Sequence, residues 1–394
     1  MSVQHSCHHI NHFFKNKELN EMYLSYGIIN FALGLISIFV PIYLYNLGYS
    51  ITEILFFFFL TSLSFVIFSY SGAKIVSHFG VKHAMLLAVP AFIIFFIGLR
   101  YIDTYPWLFF ILPIIRSFKM ILYNLGFHLN FIRHSDSKDR GKEVSMIQAS
   151  AVFAGILSPF IGGVILKLTS FPFLFTVGSI LLFVSMIPLF LSKDVHEKIS
   201  FKRERLFAGI FKKKNLNLFV SFSGYAIKSW VGLVIWPIFL FTILANFESI
   251  GAITSLTAFV TFLVFYFVGK ATDKKNKKNL LRIGTILYFF GWIGRIFVTG
   301  FSSAFVIDSY KNITQQVLFV PWSACSYNIA AQRDYFKFIV RREIIFNLSR
   351  VVVIPLLMLI FYFNFYAFII SFSIAAIFSL FYANLNKELA KTKN

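Results

Sequence analysis

The chain alternates long apolar runs with short polar connections from residue 19 to residue 385. A helix needs about 20 mostly apolar residues to cross roughly 30 Å of hydrocarbon. The runs reach that length and do not alternate polar with apolar positions, which excludes the shorter strands of a closed barrel. We therefore predict twelve membrane-spanning helices, numbered as spans 1 to 12, at residues 19–46, 51–76, 83–101, 105–131, 143–168, 171–191, 216–243, 247–270, 279–299, 303–330, 339–361 and 365–385.

The overall composition agrees with this pattern. Of the 394 residues, 58% are hydrophobic, 20% are aromatic and only 13% are charged, a balance that no water-soluble domain of this size shows. The first twenty residues are polar and the first apolar run is long enough to remain as a span, so we expect no cleaved signal peptide. The two cysteines, Cys7 and Cys325, provide no disulfide framework.

The net charge of +21 is concentrated on one set of loops. By the positive-inside rule these loops and both termini are cytoplasmic, which an even number of spans requires, and the expected location is the plasma (inner) membrane. The same distribution argues against a nucleic-acid partner. We call this end of the molecule the basic end; it comprises Lys15, Lys17, Lys82 and the segments 133–142, 201–215, 273–278, 333–342 and 387–393.

The N-terminal segment HSCHHINH, residues 5–12, contains side chains that can bind zinc or copper. Its spacing matches no closed structural zinc site, so we interpret it as a solvated tail rather than as a metal site. We predict neither a metal nor a cofactor for this chain.

The longest polar interruption divides the spans six and six. Related segments recur across it at offsets near 200: AKIVSHFGVK (73–82) with GKATDKKNKK (269–278), YNLG (123–126) with YNIA (327–330), and Glu143 with Glu343. Such a constant offset indicates an internal duplication. The predicted organisation is a cytoplasmic tail (1–18), an N-terminal six-helix bundle (19–191), a cytoplasmic linker (192–215), a C-terminal six-helix bundle (216–386) and a C-terminal tail (387–394).

Two motifs resemble those of the major facilitator superfamily of secondary transporters. The loop after span 2 resembles the GxxxDxxGxxK/R signature through Ala73, Ser77, Gly80 and Lys82, and the loop after span 8 resembles it through Gly269, Asp273, Asn276 and Lys278. The acidic residue of the signature is missing at Ser77. In this resemblance Gly80, Lys82, Asp273 and Lys278 are implied to act in gating.

Span 5 carries the second motif, AGILSPFIGG (154–163), which is similar to the GxxxGPxxGG pattern that the family associates with export. Pro159, Gly162 and Gly163 are retained. Small residues let helices approach closely and a proline bends a helix, which would suit a surface that moves, but ordinary tight packing is an equal alternative. The resemblance implies an all-α polytopic fold of two pseudo-symmetric six-helix bundles, with spans 1, 4, 7 and 10 around a central cavity.

Six charged residues are singled out as lying deep inside the predicted spans. A charge at the bilayer centre costs about 2.5 to 3.5 kcal/mol on insertion scales, so each needs a local explanation. Five of the six lie on spans 4, 7 and 10, namely Arg116, Lys119, Lys228, Asp308 and Lys311, and the sixth is Arg350 in span 11.

This excess of positive charge on cavity spans predicts an anionic substrate. The expected substrate contacts are Arg116, Lys119, Lys228, Lys311, Asn30, Asn124, Trp230 and Gln315. Gln316 is a further polar candidate for the cavity. Structural roles remain open for two groups: Arg350 could bond a carbonyl of a neighbouring helix, and Asp308 could neutralise Lys311, three residues further along the helix.

Asp308 is interpreted as the only carboxylate well inside a span, so it is the expected proton carrier if transport is proton-coupled. Exchange of one anion for another is the alternative and needs no titrating acid. No span contains an acid–base pair or an activated nucleophile, so we predict no enzymatic activity.

The predicted function is secondary active transport of a small organic or phosphorylated anion by alternating access. Two alternatives remain: a broad-specificity exporter of amphipathic compounds, and a flippase for anionic lipid headgroups. The expected partners are the small-molecule substrate and the lipid bilayer, and the expected oligomeric state is a monomer.

Overall fold

The structure is a computed structural model that describes residues 17–135, 140–191, 206–207, 209–274, 277–363 and 366–385. The predictions made for the tail segment 5–12, for linker residues 192–205 and for the C-terminal tail 387–394 lie outside these residues. All regular secondary structure in the described residues is helical, which confirms the all-α prediction.

Ten spans are single α-helices and two are interrupted. Spans 1 and 6 each consist of two helices, Lys17–Ile36 with Phe39–Asn46 and Phe171–Val184 with Met186–Leu191. The others are Ile51–Phe79, Val81–Arg100, Leu108–His134, Arg140–Leu168, Leu216–Leu244, Phe247–Lys274, Lys277–Gly294, Phe301–Ala331, Tyr335–Phe363 and Ala367–Leu380. Short 3₁₀ turns precede span 7 (Lys213–Asn215) and follow spans 9 and 12 (Arg295–Phe297, Phe381–Asn384).

Within the described ranges, eleven of these helical segments are long and apolar enough to cross a membrane. Span 10, Phe301–Ala331, is long enough at 31 residues but is the most polar of the twelve predicted crossings. Its polar side chains are concentrated between Asp308 and Gln316, close to the middle of the helix. Burying these polar side chains of span 10 in the membrane costs desolvation free energy, which hydrogen bonds and ion pairs within the protein must offset.

The turns between spans follow local sequence signals. Span 2 begins with a capping box, in which the Ser50 side chain accepts from the backbone N–H of Glu53 and the Glu53 carboxylate accepts from the backbone N–H of Ser50. Span 2 ends at Phe79 and span 3 begins at Val81, so Gly80 alone makes the turn, with φ of +89°. A glycine adopts this conformation without steric penalty, which explains its place in the loop motif.

The two six-helix halves meet mainly where span 5 packs along span 8 and where span 2 packs along span 11. Small residues permit the first contact. A Cβ added at Gly163 would lie 2.5 Å from the Phe247 carbonyl oxygen, and one added at Gly162 would clash with the Leu35 carbonyl of span 1. The structure thus gives the glycines of the span 5 motif a packing role at helix contacts.

Candidate functional site

A cavity of about 470 Å³ lies between the two halves. Spans 1, 5, 7, 8 and 10 supply its walls, so both halves contribute. Its polar lining is made of amides and hydroxyls, and among the described residues that line it none carries a formal charge. The amides are Asn30, Gln148, Asn312, Gln315 and Gln316, and the hydroxyls are Ser37, Thr254 and Thr261.

Helical spacing brings these groups to one surface. Asn312, Gln315 and Gln316 stand at positions i, i+3 and i+4 of span 10 and therefore share one helix face. Asn30 lies in the first helix of span 1, and Ser37 lies at the interruption that follows Ile36. The cavity thus carries a polar helix face of span 10 and isolated polar groups of other spans within an otherwise largely apolar wall.

Some hydrogen-bonding groups of the cavity amides are already bonded to neighbouring protein atoms, and the others are available to a solute. Asn30 donates through Nδ2 to the Tyr26 carbonyl (2.7 Å), and Gln315 accepts through Oε1 from the Tyr288 hydroxyl (3.3 Å). The Lys311 ammonium donates to Oδ1 of Asn312 (2.8 Å). The Gln316 Oε1 atom is buried without a partner in the described part of the chain. The lining therefore offers both amide N–H donors and carbonyl acceptors to a solute.

The predicted cations of span 4 lie against aromatic rings rather than in this lining. The Lys119 Nζ atom is 3.5 Å from the ring centroid of Phe92, and the Arg116 Cζ atom is 4.4 Å from that of Phe58 and 5.6 Å from that of Phe95. The Nε and Nη1 atoms of Arg116 are buried and have no hydrogen-bond partner among the described residues. Cation–π contact with spans 2 and 3 is thus the principal interaction of both groups.

Asp308 is held by two partners within the C-terminal half. Its Oδ1 accepts from Arg295 at 3.2 Å (Nε) and 2.5 Å (Nη2), and its Oδ2 accepts from Trp236 Nε1 at 3.0 Å. The alternative in which Asp308 pairs with Lys311 is not seen as a direct ion pair among the described residues, because the Lys311 ammonium donates to Asn312. Arg295 was not among the predicted residues. Its position within predicted span 9 (279–299) could have indicated its role, because a cation inside a membrane span needs an acidic partner.

Lys228 lies in the same region and is 2% exposed. Its Nζ atom is 5.0 Å from the ring centroid of Tyr288 and 5.3 Å from that of Tyr225. The described part of this region thus contains three buried cations, Arg295, Lys228 and Lys311, but one buried carboxylate, which is Asp308. Aromatic rings provide most of the remaining contacts of these cations.

Other predicted residues lie at contacts between helices. Trp230 packs edge-on against Phe58 of the other half, with ring centroids 6.5 Å apart. Arg350 donates to the Ala226 carbonyl of span 7 (3.5 Å). Lys82 donates to the Phe190 carbonyl at the end of span 6 (3.1 Å). The side chains of Asp273 and Lys278 lie outside the described part of the structure.

A buried polar cluster connects the halves at the basic end. Asn124 Nδ2 donates to Glu343 Oε2 (3.3 Å), and His128 Nδ1 lies 2.7 Å from the Tyr327 hydroxyl. Glu343 Oε1 accepts from Arg342 Nη2 (3.1 Å) and lies 3.8 Å from His128 Nε2. Glu343 is 3% exposed and belongs to span 11. Asp308 is thus not the only carboxylate inside a span, which corrects the sequence interpretation.

Aromatic contacts connect the halves at the opposite end. The Phe247 ring of span 8 meets the rings of Phe39 and Phe171, with centroids 6.4 and 5.4 Å apart. Lys167 of span 5 forms an ion pair with Glu248 of span 8. The cavity therefore lies between two sets of contacts across the halves, an arrangement in which either set could separate to admit a solute.

Of the eight predicted substrate contacts, the cavity lining includes Asn30 and Gln315. The other six are not in this lining: Arg116, Lys119, Lys228, Lys311, Asn124 and Trp230. Gln148 and Asn312 were not predicted to line the cavity, whereas Gln316 was expected there as a polar candidate. Charge is a stronger sequence signal than a neutral amide, and Asn312 becomes recognisable only as a member of the helix face that it shares with Gln315 and Gln316.

Comparison with known proteins agrees with this architecture. The family model of the Major Facilitator Superfamily matches residues 22–330. The uncharacterized protein YqgE of Bacillus subtilis (strain 168) is 22% identical over 219 residues, which cover 52% of this chain and 50% of that relative. The match thus spans only half the length of the relative.

Solved structures of similar fold cover nearly the whole chain. The crystal structure of a D-xylose-proton symporter superposes with a TM-score of 0.69 at 16% identity, covering 91% of this chain and 96% of that one. The proton:xylose symporter XylE bound to 6-bromo-6-deoxy-D-glucose gives 0.67 at 14% identity, covering 92% and 93%. From the family match we conclude that the chain belongs to the Major Facilitator Superfamily and is an integral membrane protein, and the solved structures show that it shares the fold of those symporters.

Proposed function

We propose that this protein is a secondary active transporter of a small, neutral, polar organic solute, and that the cavity between its halves is the substrate site. The observation that carries the proposal is the uncharged, amide-rich lining supplied by both halves. The volume of about 470 Å³ lies in the range of small-molecule sites, roughly 300 to 1,000 Å³. Alternating access would expose this site first to one side of the membrane and then to the other.

The neutral class is preferred to the anion expected from sequence because of where the cations lie. Arg116 and Lys119 contact rings of spans 2 and 3, and Lys311 donates to a lining amide rather than lining the cavity itself. Amide groups match hydroxyl and amide groups of a solute through paired donors and acceptors. A polyhydroxylated solute is one member of this class, and the solved neighbours of similar fold are named as xylose symporters.

The proposed orientation in the membrane follows from the positions of the positively charged loops. The basic end is proposed to face the cytoplasm of a plasma (inner) membrane, with the protein acting as a monomer. The drug-exporter and flippase alternatives gain no support from the cavity, because its polar groups suit hydrogen bonding better than the binding of apolar bodies or lipid phosphates.

The proposal is tested by ligand-induced thermal stabilisation of the purified protein. A panel of neutral sugars, polyols and amides is compared with sugar phosphates, carboxylates and cationic dyes. Neutral polar compounds should stabilise the protein, and Gln316→Leu should weaken binding of the best compound by about 10- to 100-fold because a buried polar contact is lost.

The matched control is Gln332→Leu, which removes an exposed amide at the end of the same helix. It should leave binding unchanged. Stabilisation by anions alone, lost in Lys311→Gln or Arg116→Gln but retained in Gln316→Leu, would replace the neutral solute by the anion expected from the sequence. Stabilisation by cationic dyes alone would favour the exporter.

A further inference from the structure

A second cavity, of about 510 Å³, lies between spans 3 and 6 in the N-terminal half, and we call it the lateral groove. Its lining residues belong to these two spans and to the turn that follows span 3. None of them lines the cavity between the halves. The lateral groove is therefore separate from the proposed substrate site.

Helical spacing aligns the lining of the lateral groove along both helices. On span 3 it follows one face through Ile93, Ile97 and Arg100, at positions i, i+4 and i+7, and on span 6 it follows one face from Thr176 to Phe183. Span 3 ends and span 6 begins at the end of the molecule opposite the basic end, so Arg100 and Thr176 lie at that end. Seven residues of helix rise about 10 Å, so the groove extends about that far from Arg100 towards the membrane centre.

The walls of the lateral groove are apolar and open to the side. Phe96 and Phe175 are buried and stack with ring centroids 6.0 Å apart, which closes the groove on the protein side. Ile180 and Phe183 are 59% and 63% exposed on the other side. In a chain that crosses a membrane, such exposed apolar side chains face hydrocarbon. An acyl chain can therefore enter the groove from the bilayer without crossing water.

The Arg100 guanidinium lies at the mouth of the lateral groove without a counter-charge. Its Cζ atom is 5.5 Å from the ring centroid of Tyr101, and the described ranges give it no hydrogen bond or ion pair. Lys167, also exposed at this end of the N-terminal half, is already paired with Glu248. A guanidinium offers a planar fork of donors that matches a phosphate, and a long side chain at the end of a span reaches the headgroup level. Charge complementarity thus favours a phosphate at the mouth.

A second polar group of the lining lies one helical turn deeper than Thr176. Ser179 is 7% exposed, and its Oγ atom has no hydrogen-bond partner in the part of the chain that the structure describes. A buried hydroxyl without a partner is unfavourable, and an ester carbonyl is an acceptor that would satisfy it. In a phospholipid the ester carbonyls lie between the phosphate and the acyl chains. The order of cation, hydroxyl and apolar wall therefore matches the order of groups in such a lipid.

We propose that the lateral groove binds one phospholipid of net negative charge, with its phosphate at Arg100, an ester carbonyl at Ser179 and an acyl chain along the apolar walls. Phosphatidylglycerol has this chemistry. Phosphatidylethanolamine carries an additional ammonium group, which the Arg100 cation repels. The bound lipid would contact spans 3 and 6 together and stabilise their packing.

The experiment measures lipid binding by native mass spectrometry of the purified, delipidated full-length protein. Phosphatidylglycerol, phosphatidylethanolamine and inorganic phosphate are titrated separately. The unmodified protein should bind one phosphatidylglycerol about 10-fold more tightly than phosphatidylethanolamine and should retain no inorganic phosphate. Phosphatidylglycerol should also raise the temperature of thermal unfolding, because a ligand that binds only the folded protein stabilises it.

Two variants test the two parts of the lateral groove. Arg100→Gln should weaken phosphatidylglycerol binding about 10-fold, because charge-assisted hydrogen bonds are lost, and Arg100→Lys should recover part of the loss. Ile97→Trp keeps the cation but fills the groove, so it should also weaken binding. The matched controls are Lys167→Gln, which removes a cation outside the groove, and Ile94→Trp, which places the same ring outside the lining. All four positions are exposed, so the variants leave the core intact.

Several results would overturn the proposal. One is equal binding of the two phospholipids, and another is unchanged binding of phosphatidylglycerol in Arg100→Gln. Equal losses in Ile94→Trp and Ile97→Trp would mean that lipid covers the surface of span 3 without occupying the groove. Inorganic phosphate that competes with phosphatidylglycerol would replace the lipid by a free anion. These measurements need no transported solute, so their outcome is independent of the proposed substrate.

Discussion

At the scale of single residues, intramembrane cations in this protein are accommodated by rings more than by carboxylates. Lys119 faces Phe92, Arg116 faces Phe58, and Lys228 lies among tyrosines. A ring face attracts a cation without needing a counter-charge, with an energy of about 0.5 to 2 kcal/mol. The many aromatic side chains of this sequence can therefore stabilise buried Lys and Arg side chains through cation–π contacts.

Lys119→Met tests whether this lysine binds substrate or only packs. If it only packs, the variant should retain transport and change the free energy of unfolding by no more than about 1 kcal/mol, since an unpaired buried ammonium is replaced by an apolar chain of similar length. Transport in proteoliposomes and thermal unfolding in detergent provide the two measurements. Loss of transport with normal stability would support the substrate role predicted from the sequence.

Asp308 offers the contrasting case of a buried ion pair. Asp308→Asn leaves Arg295, which is 2% exposed, without its counter-ion. The expected destabilisation is about 3 to 5 kcal/mol, and the double variant Asp308→Asn with Arg295→Met should recover much of it. Denaturation of the purified protein measures both. Equal stability of the single variant and the natural sequence would refute the structural role of the pair.

At the scale of helices, close approach of spans 5 and 8 depends on glycines whose positions differ in available space. Gly163 lies against the Phe247 backbone, whereas a Cβ added at Gly155 would lie 3.9 Å from the Ala258 Cβ, an ordinary contact. The two glycines belong to the same helix and face the same partner. They therefore form a matched pair for testing what the motif AGILSPFIGG contributes.

Gly163→Ala should lower the free energy of unfolding by about 1 to 3 kcal/mol, because the added methyl group must displace a backbone carbonyl. Gly155→Ala should be neutral or stabilising by up to about 1 kcal/mol, because alanine favours the helix. Thermal unfolding of the two purified variants measures both changes in stability. Equal effects of the two substitutions would mean that the close contact at Gly163 does not limit packing.

At the scale of the whole molecule, orientation is predicted by loop charge alone. Cysteines placed at Gln332, at the basic end, and at Tyr105, between spans 3 and 4, are both exposed. In intact cells a membrane-impermeant thiol reagent should label Tyr105→Cys, and Gln332→Cys should react only after permeabilisation, because the basic loops stay in the cytoplasm. The reverse pattern would invert the proposed topology.

The sequence by itself was sufficient to predict the membrane crossings and the family resemblance. Whether a segment can span the bilayer depends on its own length and hydrophobicity, which are local properties of the sequence. It also identified Asn30, Gln315 and Gln316 among the cavity residues. The turn at Gly80 was likewise accessible from a motif whose glycine is required by backbone sterics.

Only the tertiary structure decided the partners of the buried charges. Whether Lys119 faces a cavity or a ring depends on the rotation of span 4 against span 3, and Asp308 meets Arg295 rather than Lys311 because span 9 supplies a better placed donor. Glu343 meets Asn124 across 219 positions of sequence. Such contacts arise from packing between distant helices, which no local pattern of residues encodes.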